Sequence, residues 1–192
     1  GITVNQGTFT ASGTATVTAP ITNNATVKFS PTSSVSYAGI LSGAGGITKA
    51  GTGTLTLSGA NTYSGILSIT AGRVIADATD TLPANSRVAL SSTGVLEVAA
   101  NQTLSSVTGS STNTVQINSG STLTVNNSTS TSLGSTLAGT GTLAKTGAGT
   151  LTLATTSSFA GAVHAQAGTL YVSQSLASAA FTASGSGLIL GG

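Results

Sequence analysis

Acid–base chemistry in this chain of 192 residues would have to come from three carboxylates, Asp77, Asp80 and Glu97, and one imidazole, His164. Hydrolysis by paired carboxylates needs two acids facing one cleft, about 5–10 Å apart. Asp77 and Asp80 stand together in Ala76-Asp77-Ala78-Thr79-Asp80-Thr81 ahead of Leu82-Pro83, a polar turn that Arg73 or Arg87 would neutralise. Two carboxylates also fall short of the roughly six to eight oxygens that Ca²⁺ takes. His164, in Val163-His164-Ala165, has no Cys, no acid and no Gly-x-Ser-x-Gly elbow to complete a triad, so it is expected on a solvated strand. Gly43-Ala44-Gly45-Gly46 lacks the Lys-Ser/Thr signature and the following helix of a phosphate-binding loop. Lys49 and Lys145 recur at one position of an internal repeat. They are expected at corners, with their stems on apolar surface and their amines in water; the other reading is a contact with an anionic glycan or lipid. The expectation is a chain that is not an enzyme, with no catalytic, cofactor-binding or metal-ligating residues and no cofactor.

Composition narrows the partners. Charged residues are 4% of the chain, against about 25% in an ordinary domain, so solvation falls to hydroxyls, amides and backbone. The net charge of +2 comes from cations scattered at Lys28, Lys49, Arg73, Arg87 and Lys145, not from the clustered patch that nucleic acid requires. A hydrophobic content of 39% and a mean hydropathy of +0.36 place the chain among folded sequences. With no cysteine there are no disulfides or thiolate metal sites, which suits export through an oxidising compartment.

Short alternating segments must carry whatever surface the chain presents. Residues 14–18, 54–57, 87–90, 95–98, 114–117, 122–125 and 150–153 alternate polar with apolar and are bounded by Gly, Asn or Ser, the signature of strands with one dry face. Successive turns of the pattern lie mostly 19–22 residues apart, one coil of a three-faced parallel β-helix. The expected fold is all-β, a parallel β-helix of about nine or ten coils and on the order of 45 Å long, formed by residues 1–192 as a single continuous segment. Residues 43–57 reappear as residues 139–153, a 96-residue offset that would hold about five coils, with repeat copies at about 37–77 and 135–173. Structural corners are expected at Gly53, Gly65, Gly72, Gly149, Gly161 and Gly168, where positive φ or close packing excludes a Cβ. Tyr63 and Phe159 are the repeat aromatics. Asn61, Asn101, Asn113 and Asn118 are expected at turns, bonding neighbouring backbone.

Residues 43–65, with Ile69-Thr70-Ala71-Gly72-Arg73-Val74 after them, resemble the passenger-associated repeat of bacterial autotransporters. Residues 139–172 resemble a second copy, with Ser157-Ser158-Phe159 in place of Asn-Thr-Tyr. The resemblance implies a right-handed β-helix, secretion through a C-terminal outer-membrane barrel (type V secretion) and display at the bacterial cell surface or release outside it. Membrane contact is then expected only through a barrel domain not present in this chain. The implied partners are other copies of the chain or a host or cell-surface ligand. The function expected is a non-catalytic passenger segment serving as adhesin or structural stalk. The alternatives are a self-assembling extracellular fibre subunit, a polysaccharide-acting β-helix enzyme and an ice-binding β-solenoid. The last is prompted by the Thr-x-Thr pairs Thr14/Thr16, Thr54/Thr56, Thr122/Thr124 and Thr150/Thr152.

Overall fold

A computed structural model of the chain describes residues 1–14, 17–176 and 180–191. Among them there is no helix, and every strand pairing is parallel. The chain winds as a solenoid of about nine turns. Ile21 lies over Leu41, 20 residues on, and Arg73 over Val95, 22 residues on, so one circuit matches the spacing of the turn residues.

Each circuit lays down three faces. The first begins with Ile2–Val4, Ile21–Asn23 and Leu41–Ser42, and resumes with Gln102–Leu104, Thr122–Asn126 and Thr142–Thr146. The second holds Thr8–Gly13, Thr26–Pro31, Gly46–Lys49, Ile66–Ile69, Arg87–Leu90 and Ser106–Thr108; Thr131–Leu133 and Thr150–Leu153 continue it. The third holds Val35–Tyr37, Thr54–Leu57, Arg73–Ala76, Val95–Val98, Thr114–Ile117 and Thr136–Gly139. Near the C-terminal end, Ala162–Val172 and Ala180–Gly191 each bend from the first face onto the second without a break in the strand. The segments read as strands at 54–57, 87–90, 95–98, 114–117 and 150–153 coincide with observed strands. The segment 14–18 includes positions outside the described residues.

Alternation along each strand sends every second side chain inward, where it meets its counterpart one coil away. Leu55, Val74, Leu96, Val115 and Leu137 form one such column on the third face, all buried. Each fully buried Leu or Val contributes about 1.5–3 kcal/mol relative to exposure, and the column repeats that gain at every circuit. The outward positions are left mainly to Thr and Ser.

The first face loses its strand ladder between Leu41–Ser42 and Gln102–Leu104, and side-chain amides take over there. Leu41 N–H donates to Asn61 Oδ1 at 2.8 Å, and Asn61 Nδ2 donates to Thr81 O at 2.7 Å, so one buried amide ties three successive coils. Gln102 does the same work one step on, accepting from Leu82 N at 2.9 Å and donating to Ala78 O at 2.6 Å. A buried backbone group left without a partner is costly, and these amides supply the partners that absent strands would have given.

The 96-residue offset spans five coils less one face. Gly46–Lys49 lies on the second face, whereas Thr142–Thr146, its counterpart, lies on the first. Likewise Thr54–Leu57 is on the third face and Thr150–Leu153 on the second. The repeat copies are therefore turned by a third of a circuit, and the offset of about five coils falls one face short of five whole ones. Coils vary between about 18 and 22 residues, and that variation shifts the register of the copies around the axis.

Replacing the buried amide tests its bridging role. Asn61→Leu keeps the volume but orphans Leu41 N–H and Thr81 C=O, and is expected to lower unfolding free energy by about 2–4 kcal/mol. Exposed Thr62→Ala should change it by less than about 0.5 kcal/mol, with urea unfolding as the readout for both.

Candidate functional site

What recurs in both copies is a corner built around a buried ammonium. In Ile47-Thr48-Lys49, alternation puts Lys49 on the same inward side as Ile47, in a column between Phe29 and Ile69. Lys145 sits likewise between Val125 and Ala165. Both side chains are fully buried. The amine of Lys49 turns back to the corner and donates to Ala50 O (2.9 Å), Gly51 O (2.8 Å) and, one coil on, Ala71 O (3.0 Å). The amine of Lys145 donates to Thr146 O, Gly147 O (2.8 Å) and Ala167 O (3.2 Å). The three N–H donors of an ammonium thus meet three carbonyls, two from its own coil and one from the next. No carboxylate joins either cluster; the described residues contain one ion pair, and it lies elsewhere. The expectation of an amine in water is corrected, and with it the reading of these lysines as contacts for an anionic ligand.

The corner glycines make room for this arrangement. Gly72 and Gly168 have φ of +67°, and a Cβ on Gly72 would lie 2.7 Å from Lys49 Nζ. Gly53, Gly65, Gly149 and Gly161 instead mark close approach: a Cβ there would stand 2.0–2.4 Å from a carbonyl oxygen of the coil beneath. Tyr63 and Phe159 are buried in the interior rather than displayed. The Tyr63 hydroxyl lies against Ser86, and burial pushes it up to about 12. Asn61 and Asn113 bond neighbouring coils from buried positions, while Asn101 accepts from Thr122 N at 2.9 Å. Asn118 belongs to a surface network with Glu97 and Gln116.

The residues weighed for chemistry are not brought together. Asp77 and Asp80 are exposed, and Asp80 takes a φ of +51°. His164 is half-buried on its strand, aligned with Ala144 and Thr182. Among the described residues no group of three or more His, Cys, Asp or Glu side chains gathers to hold a metal. Arg73 pairs with Glu97, not with Asp77 or Asp80, and its Nη1 also reaches Gln116 Oε1 at 3.4 Å. Asn118 Nδ2 donates to Glu97 Oε1 at 2.8 Å, and Gln116 Nε2 to Asn118 Oδ1 at 3.0 Å. An ion pair this open to water adds about 0–1 kcal/mol. The described threonine pairs Thr54/Thr56, Thr122/Thr124 and Thr150/Thr152 stand on the third, first and second faces, so they form no common array.

These features define a parallel β-solenoid whose recurring unit is an internally capped corner. The passenger-associated-transport-repeat family matches residues 47–76 and residues 143–172. Each matched segment spans the lysine, its three carbonyl acceptors and the positive-φ glycine of the next coil. Two such repeats in a β-solenoid are consistent with an autotransporter passenger with β-helix repeats. No curated protein and no solved structure matches the chain.

The buried lysines set a sign for the pH dependence of stability. Burial lowers Lys49 from 10.5 to about 8, and lowers Lys145 for the same reason. Between about pH 8 and pH 10.5 the folded chain therefore binds fewer protons than the unfolded one, and stability rises with pH. Tyr37 and Tyr63, pushed from 10.0 up to about 12 by burial, act in the opposite direction above about pH 10. The urea midpoint is expected to climb from pH 7.5 to 9.5, and to climb less in Lys49→Met. That variant keeps the stem but orphans three carbonyls, and should lose about 2–4 kcal/mol at pH 7.

Proposed function

We propose that this chain is a non-catalytic, surface-displayed or secreted passenger segment that serves as a stalk or adhesin and associates with other copies of itself. One observation carries the reading: apart from outward threonines such as Thr54/Thr150 and Thr56/Thr152, the residues that recur between the repeats are spent inside the solenoid, on lysine caps, glycine corners and apolar columns. The repeat thus builds the shaft, and equivalent outward residues of its two copies face different directions. Outside, the shaft offers short hydroxyl and amide side chains and little charge. With a formal charge of +2 over 192 residues, two such rods approach without strong repulsion, which favours contact along their sides.

Catalysis has little support in the side chains present. The exposed Asp77 and Asp80 stand on a turn, and Glu97 is engaged by Arg73 and Asn118. Self-association is tested by sedimentation velocity over a wide concentration range at low and moderate salt. The expected result is an elongated particle whose sedimentation coefficient rises with concentration. A monomer throughout would remove self-association and leave a stalk or a binder of other surfaces. Cleavage of a polysaccharide that disappears in Asp77→Asn or Asp80→Asn would overturn the non-catalytic reading.

A further inference from the structure

The third face carries a polar network that the fold does not require. Arg73 follows the positive-φ glycine of the first repeat, and the second repeat has Thr169 after Gly168 at the same place. The capped corner forms in both copies, so a guanidinium is not needed to build it. Glu97 likewise stands in an outward column whose other members, Thr56, Ile75, Gln116 and Ala138, are uncharged. In a chain with only 4% charged residues, an ion pair placed outward across neighbouring coils calls for another explanation.

Beside it runs an open cleft of about 290 Å³ lined by Thr52, Thr54, Gly72, Arg73, Thr93 and Val95. Three successive coils contribute to it. Gly72 lines it between the threonines of the coils on either side. Arg73 forms one wall, fixed through Nη1 by Glu97 and Gln116, while Glu97 is itself held by Asn118. These partners bias the guanidinium towards the cleft wall, although pairing so open to water adds little stability.

The chemistry of the lining selects the ligand. Threonine hydroxyls both donate and accept, and the free edge of the guanidinium donates. Glu97 cancels the charge of Arg73, leaving no net field to attract an anion. Ile75 and Val95 are half-buried on the outward side of the same face, next to the ion pair, and offer aliphatic surface for C–H faces. Hydroxyl partners and aliphatic surface contributed by three successive coils, at the ~4.8 Å spacing of neighbouring strands, suit a neutral sugar chain in an extended form that advances by about one coil per sugar. We propose that the cleft over Gly72, walled by Arg73 and flanked by Thr52, Thr54, Thr93 and Val95, is a binding site for an extended, uncharged polysaccharide. This rests on the adhesin reading above and supplies its ligand class.

The test is titration of the full chain with cellohexaose, followed by saturation-transfer NMR, with a heparin hexasaccharide and maltohexaose as comparison probes. Expected is saturable binding of cellohexaose with a dissociation constant on the order of 1 mM, as few polar contacts and no aromatic platform allow. It should be insensitive to salt and at least about tenfold weaker in Arg73→Thr, which installs the residue of the second repeat and should leave the melting temperature within a few degrees. A second variant, Thr52→Ala with Thr93→Ala, should weaken binding while keeping Arg73 and its pair. No binding of cellohexaose, equal binding of maltohexaose, salt-sensitive binding of heparin alone, or binding unchanged in both variants would each overturn the proposal. Such a failure is separable from failure of the self-association reading, which sedimentation decides without any sugar.

Discussion

Each coil of this solenoid lies on the next at the hydrogen-bonding distance of parallel strands, and everything else in the chain answers to that closeness. At ~4.8 Å between neighbouring backbones, an inward side chain can only stack on its counterpart. Several corners can pass over the corner beneath only because a Cβ is missing. Hence Gly65 and Gly161, each 2.0 Å in Cβ terms from a carbonyl below, and hence the long apolar columns. The same closeness explains the buried amides of Asn61 and Gln102, which replace the ladder where strands give out.

The lysine corners look at first like a violation of that economy, since an ammonium has been taken out of water without a counter-ion. Desolvation is visible in the lowering of Lys49 to about 8. What makes the burial tolerable is that corners leave carbonyls pointing inward that no strand can satisfy. Ala50, Gly51 and Ala71 converge on one point, and their oxygens form a partial negative charge of the kind that oriented backbone dipoles create. The lysine satisfies a corner that would otherwise be orphaned on two coils at once.

Much of this was legible in the sequence. Alternation over residues 54–57 or 150–153 has one physical meaning, a strand with one dry side, and the spacing of glycines dictated a coil of about 20 residues. The inward lysine was legible too, since Ile47 and Lys49 share a strand face, but the general habit of lysine to keep its amine in water outweighed the local pattern. The partner of Arg73 was not legible. Asp77 and Asp80 are near in sequence, whereas Glu97 is 24 residues away and becomes a neighbour only once a coil closes. Nor was the rotation of the repeat copies, because it depends on small differences in coil length accumulated over five circuits.

That rotation limits what the repeat can offer to anything outside. A molecule approaching from one side meets a given outward residue of one copy while its counterpart in the other looks away, as on a spiral stair where the same tread recurs at a different compass bearing. Duplication of the unit therefore lengthens the shaft without doubling its valency towards a flat target. A flat target would engage such a shaft one patch at a time, and avidity would have to come from the number of molecules presented together, not from the number of repeats in each.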